Sequence, residues 1–345
     1  MTSSLVIQTS FLGDTVLTTP LLAYLAERGA VDIIVTPASA PLLANNPAVR
    51  EIVVYDKRGA DRGVRGFLRL ARRLRDRRYD SAYLAQGSVR SGALALAARI
   101  QRRVGFQTSA GRRFYTDSIA APDNDHHAAR LLRLGMASDS AEPTTALLRP
   151  RLFPGDAERR VVDELLARAG ADDQPYVALA PGSVWATKRW PYYAELAAQL
   201  ATRCRLIVIG SAADTPLARS ILDAAGDRAV DATGRLSLLA SAELIGRSRA
   251  LVTNDSSPLH LASAMGTPTI AVFGPTVPEF GFGPLAPKAR VAGREELACR
   301  PCDRHGPRRC PLGHWRCMRE ITPDHIAALL DELIVLSPPR PTPAP

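Results

Sequence analysis

The sequence predicts an α/β protein built from two doubly wound halves, each around a parallel sheet. Three observations carry this. Short apolar runs of strand length alternate with helical patterns from residue 5 to beyond residue 270. The alternation stops at Arg149–Gly155, a proline- and glycine-containing stretch that reads as a linker, and then restarts. In both halves a buried strand runs into a loop of small polar residues that opens a helix, the turn at which such sheets hold ligands. The expected domains are 1–150 and 151–336, two Rossmann-like halves facing a cleft. A tail at 337–345, with five prolines in nine residues, is expected to be disordered.

Taken in order, Leu5–Ile7 starts the first strand, which leads through Gln8–Asp14 into a helix carrying Val16, Leu17 and Leu21. The runs Val31–Val35, Ile52–Tyr55, Ser81–Leu84 and Arg103–Phe106 are further strands, with helices expected at 66–76 and 89–101. Within 66–76, Phe67, Leu70, Ala71 and Leu74 form the apolar stripe, so the arginines fall largely on the opposite face. After the linker, Asp156 caps a helix that Gly170 stops. Strands at Tyr176–Ala180, Leu206–Ile209, 228–231 and 249–253 then alternate with helices at 191–202, 215–225 and 237–247. The stretch 251–276 shows the unit most fully. A strand meets the elbow Thr253–Ser257, and Pro258 falls in the first helical turn. Leu259, Leu261, Ala262 and Met265 lie at helical spacing, Gly266 ends the helix, and Thr269–Phe273 is the next strand. A last helix follows Pro323, with Ile326, Leu329, Leu330 and Leu333 on one face.

Composition narrows the function. With 345 residues, 46% hydrophobic and 23% charged, the chain has the balance of a soluble globular protein. No apolar run approaches the ~20 residues of a membrane span, and no signal-peptide pattern stands at the start, so a cytoplasmic protein is expected. The +10 charge is uneven: ten basic residues between Lys57 and Arg78 face only Asp61 and Asp76. A second group follows at Arg99, Arg102, Arg103, Arg112 and Arg113. Such clustering suits an anionic partner or a solvated helix face. Nucleic acid is set aside, because no aromatic interleaving or reading motif accompanies the charge.

Three loops are expected to meet between the halves. The first is Thr9–Asp14, where Gly13 allows close backbone approach and Asp14 sits at a helix N-terminus, as a cap or as a base. The second, Pro181–Pro191, places a glycine, hydroxyls and the cations Lys188 and Arg189 at the carboxyl end of a strand, which suits a diphosphate. The third is the elbow Asn254–His260, whose free N–H groups and helix dipole favour phosphate. A hydride-transferring enzyme would need G-x-G-x-x-G after its first strand, and residues 8–14 hold only Gly13. Asp123-Asn124-Asp125 has the spacing of a metal-binding pair but lies in a polar loop after Pro122.

Four motifs in order, Ser10-x-x-Gly13-Asp14, Pro181-Gly182-Ser183-x4-Lys188-Arg189-Trp190-Pro191, Thr253-Asn254-Asp255-Ser256-x-x-x-His260 and Phe273-Gly274-Pro275-Thr276, resemble those of glycosyltransferase family 9. That family comprises ADP-heptose:lipopolysaccharide heptosyltransferases of the GT-B fold. The segment from Cys299-x-x-Cys302 to Cys310-Pro311-Leu312-Gly313-His314-x-x-Cys317 further resembles the heptosyltransferase II branch. Ser257 departs from the glycine usual in the family, which would narrow the approach to the diphosphate; the loop between Cys302 and Cys310 is also longer than expected.

The resemblance implies an inverting transferase with ADP-heptose on the C-terminal half. Lys188 and the backbone amides of Ser256 and Ser257 would hold the diphosphate, Ser183 and Thr187 would donate hydroxyl hydrogens, and Asp255 and His260 would order the elbow or touch the donor. The N-terminal half would take the anionic lipid A–inner-core acceptor, with Arg69, Arg72, Arg73 and Arg103 as candidate contacts and Asp14 as the base. It implies no required cofactor, metal-independent catalysis, and peripheral attachment at the inner leaflet of the inner membrane. The alternatives are a non-catalytic binder of sugar nucleotides or anionic membranes, and a transferase using another nucleotide sugar. Cys299, Cys302, Cys310 and Cys317 begin with the Cys-x2-Cys spacing of a structural zinc site, but the Cys-x6-Cys pair suits reduced, packed thiols equally.

Overall fold

The computed structural model describes residues 2–334 apart from 121, 123, 137–142, 172 and 173. The proline-rich tail at 337–345 and Asp123 therefore lie outside the described residues. The chain forms two compact units, Met1–Phe153 and the remainder from Pro154.

The first unit is a six-stranded parallel sheet of β1 (Thr2–Gln8), β2 (Gly29–Val35), β3 (Glu51–Val54), β4 (Ser81–Tyr83), β5 (Arg102–Phe106) and β6 (Asp117–Ile119). Their order across the sheet is β3-β2-β1-β4-β5-β6. Apolar runs make the central strands, since a parallel sheet is covered on both faces. Leu5, Ile7 and Ile34 are buried against Leu70, Leu74 and Leu94 of the flanking helices. β6 was not legible: it is three residues at the sheet edge, Asp-Ser-Ile, without an apolar run.

The second unit repeats the plan with β7 (Tyr176–Ala180), β8 (Arg205–Val208), β9 (Ala229–Asp231), β10 (Ala250–Asn254), β11 (Thr269–Phe273) and β12 (Ala289–Gly293). Its order is β12-β11-β10-β7-β8-β9. Val177, Leu179, Val252, Ile270 and Val272 share its core with Leu196, Leu200, Ile326 and Leu330. The helix Ser257–Met265 has Pro258 in its first turn and ends on Gly266 in the left-handed region at φ 76°, a conformation glycine adopts without strain.

Both sheets reverse winding direction once, between β1 and β4 in the first unit and between β7 and β10 in the second. At such a point the chain departs in opposite directions from two adjacent carboxyl ends and leaves a crevice, which is where open α/β sheets bind ligands.

Candidate active site

In the second unit, the winding reversal brings together the loops after β7, β10 and β11. Asn254, the fully buried last residue of β10, fastens two of them. Its Nδ2 donates to Pro181 O at 2.8 Å and its Oδ1 accepts from Trp190 N at 3.1 Å. Trp190 is itself buried, with Nε1 donating to Ile321 O. The 181–190 loop is thereby held against the elbow at both ends.

Between those fastenings, Lys188 Nζ lies 2.5 Å from Asp255 Oδ2. The same carboxylate oxygen accepts from Thr276 Oγ1 at 2.7 Å. The three loops therefore converge on one carboxylate, with the ammonium in contact and both side chains about one-tenth exposed. Beside it, Ser256 and Ser257 are half-buried at the start of the Ser257–Met265 helix, where backbone N–H groups have no partner one turn back. Ser183 is half-buried and its carbonyl accepts from Arg189 Nε at 2.9 Å. His260 is buried and meets Phe282 edge-on, with ring centroids 6.3 Å apart.

Thr187 is placed differently from the expectation. It is buried, and its hydroxyl donates to Pro307 O in the cysteine-rich loop. That loop packs over the lysine at Gly306, where a Cβ would stand 3.2 Å from Lys188 Cε and the φ is +87°. Glycine meets both conditions without strain. Arg300 anchors the same loop by donating to the carbonyls of Phe273, Gly274 and Thr276. Asn254 (as a clamp), Arg300 and Gly306 were missed by sequence reasoning. Their partners lie far off in the chain, and only the Asn-Asp-Ser elbow gave any local signal.

The cysteines are all free thiols. Cys299 Sγ comes to 4.0 Å from His314 Nε2, but among the described residues no group of three or more His, Cys, Asp or Glu side chains stands where it could hold a metal ion. Burial pushes the Cys317 thiol up to about 11.

In the first unit, β1 ends at Gln8 and the following helix, Leu12–Ala26, carries Asp14 in its first turn. Oδ2 of Asp14 accepts from Phe11 N at 3.2 Å, so it does cap the helix. Oδ1 is turned to His127, 3.4 Å from Nε2. His127 Nδ1 lies 3.4 Å from Arg130 Nη2. Guanidinium offers only donors, so Nδ1 accepts and Nε2 presents its proton to Asp14. Sequence reasoning missed His127, whose helix, His127–Arg133, is too short for a clear periodic signal. Nearby, Lys57 Nζ donates to Thr9 O at 3.1 Å. Burial, followed by the charges of Arg58 and Arg90, holds this amine below its ordinary value.

Of the expected acceptor contacts, three have partners within the fold. Arg69 pairs with Asp61 at 2.7 Å and Arg73 with Glu51 at 2.6 Å. Arg103 donates to the carbonyls of Phe114, Ile100 and Gln101. Arg72 is exposed and makes no ion pair among the described residues.

Residues 67–314 match the sequence family described as glycosyltransferase family 9 (heptosyltransferase). The chain belongs to that family. It is a glycosyltransferase, and its two doubly wound units are those of the GT-B fold. Among its relatives, lipopolysaccharide heptosyltransferase 1 of Pseudomonas aeruginosa is 31% identical over 86% of this chain and 85% of its own length. Lipooligosaccharide heptosyltransferase 2 of Haemophilus influenzae is 28% identical over 96% of this chain and 99% of its own. The solved structure of Escherichia coli ADP-heptose lps heptosyltransferase II is 27% identical, covers 96% of this chain and 98% of that one, and superposes with a TM-score of 0.79. Among the described residues no helix is long and apolar enough to cross a membrane.

Proposed function

We propose that this family 9 enzyme transfers heptose from ADP-heptose to the anionic inner core of lipopolysaccharide, with inversion at the anomeric carbon. The observation that carries the donor reading is the Lys188–Asp255 pair at the reversal point of the second sheet, beside the first turn of the Ser257–Met265 helix. A diphosphate placed there meets an ammonium, two backbone amides (Ser256 and Ser257) and the positive end of a helix dipole. The choice of ADP-heptose follows the name of the E. coli heptosyltransferase II structure.

The acceptor goes to the first unit. Asp14 takes the proton of the acceptor hydroxyl as its oxygen forms a bond to the anomeric carbon. The bond from that carbon to the diphosphate oxygen breaks, and ADP leaves with the electron pair. Lys188 and the amides stabilise the charge that builds on the leaving oxygen, so no step is assigned to a metal. His127 holds the Asp14 carboxylate in place. For the acceptor's carboxylates and phosphates, Lys57, Arg58 and Arg90 replace Arg69, Arg73 and Arg103 in this reading. Arg58 and Arg90 put like charge beside Lys57, whose ammonium donates to Thr9, whereas Arg69 and Arg73 are each neutralised by a carboxylate and Arg103 is spent on three carbonyls. Because such an acceptor is carried by a lipid, the enzyme works as a peripheral protein at the cytoplasmic leaflet.

Donor binding gives the test. A ligand specific to the native state raises the melting temperature by mass action. ADP-heptose is expected to raise it more than UDP- or GDP-sugars at equal concentration, and ADP alone to give part of the shift. A larger shift with a uridine or guanosine donor would contradict the reading.

A further inference from the structure

The helix Gly63–Asp76 carries two kinds of arginine. Leu70, Ala71 and Leu74 are buried and fix its inner face. On one flank, Arg69 and Arg73 are neutralised by Asp61 and Glu51. The other flank is unlike it. Val64 and Leu68, one turn apart, are 72% and 43% exposed. Arg75 continues their row, and Arg65 and Arg72 border it, as the 3.6-residue period requires. Arg65, Arg72 and Arg75 are exposed and make no ion pair among the described residues, with the exposed Asp76 at the margin beside Arg69. The fold neutralises one flank and leaves the other both cationic and aliphatic.

From this we infer that the Val64–Leu68 flank is the surface by which the enzyme docks on an anionic lipid bilayer. Two exposed aliphatic side chains beside three unpaired guanidinium groups match an interface whose outer layer is negative and whose next layer is hydrocarbon. A polyanion such as RNA would be met by the arginines alone and would leave Val64 and Leu68 in water. The inference rests on the reading that the acceptor is lipid-borne, and it names the face that meets the lipid.

The test is sedimentation of the full chain with vesicles of phosphatidylcholine alone or with about one-third phosphatidylglycerol. A parallel assay follows transfer to a deacylated, water-soluble inner-core acceptor. Binding to the anionic vesicles, not the neutral ones, is expected, and it should weaken steeply with salt. Val64→Ser with Leu68→Ser should weaken vesicle affinity at least about tenfold, because both side chains lose the hydrocarbon contact. Arg65→Gln with Arg75→Gln should weaken it and flatten the salt dependence. All four positions are exposed, so melting temperature and transfer to the soluble acceptor should stay unchanged. Vesicle binding that is absent, or indifferent to both double variants, while soluble transfer persists overturns the inference and leaves the proposed function standing. Failure of soluble transfer in the unaltered enzyme would strike the proposed function instead, whatever the vesicles show.

Discussion

Replacing Asp14 with asparagine is expected to lower kcat by at least about a hundredfold, within the range of roughly 10²–10⁴ for loss of a positioned base. A sugar hydroxyl is a weak nucleophile at neutral pH and must lose its proton as the glycosidic bond forms. Asp14 has two structural contacts: Oδ2 accepts from Phe11 N and Oδ1 faces His127. Asparagine keeps an amide oxygen able to accept one of these hydrogen bonds, and residues of this kind remain competent at helix N-termini. Melting temperature and ADP-heptose affinity should therefore change little. What asparagine cannot do is take a proton. Steady-state kinetics with thermal melting separates the two roles, and near-normal turnover in Asp14→Asn would leave Asp14 as a helix cap alone.

Lys188→Ala should damage stability, donor binding and turnover together. It strips the ammonium from Asp255, and removing one partner of a buried ion pair costs about 3–5 kcal/mol. At about one-tenth exposure the lower end of that range applies, which is several degrees of melting temperature for a unit of this size. Stability and function then part in the double variant. Lys188→Ala with Asp255→Asn leaves no unpaired charge, and Thr276 can still bond the amide. It should recover much of the lost stability while donor affinity and turnover stay low. A double variant that regains both would make Lys188 a structural partner of Asp255 rather than a diphosphate ligand.

How much of this was legible follows from the range of each signal. The strand–elbow–helix stretch at 251–276 could be read because strand, proline, apolar face and terminal glycine are all local. The structure has the helix start at Ser257 and stop at Gly266. Local signal also named Asp14, Lys188 and Asp255, but not that the last two contact each other. The lysine lies on the loop after β7 and the aspartate after β10, and only the winding order of the sheet makes them neighbours. The arginine segment stayed ambiguous for the same reason. Composition shows charge, yet cannot show that Glu51 and Asp61 absorb Arg73 and Arg69 while Arg65 and Arg72 stay unpaired. Arg103 read as a candidate acceptor contact, and its guanidinium donates to three carbonyls. Gly306 over Lys188 and the Arg300 anchor lie in a loop without secondary structure, where no periodicity exists to read.

The most direct measurement of the central claim is product analysis with the purified enzyme, ADP-heptose and an inner-core acceptor, following ADP release and acceptor mass together. The account predicts one heptose gained by the acceptor for each ADP released, with an inverted anomeric linkage and no comparable transfer from UDP- or GDP-sugars. ADP-heptose bound without transfer, or transfer only from another nucleotide sugar, would contradict it.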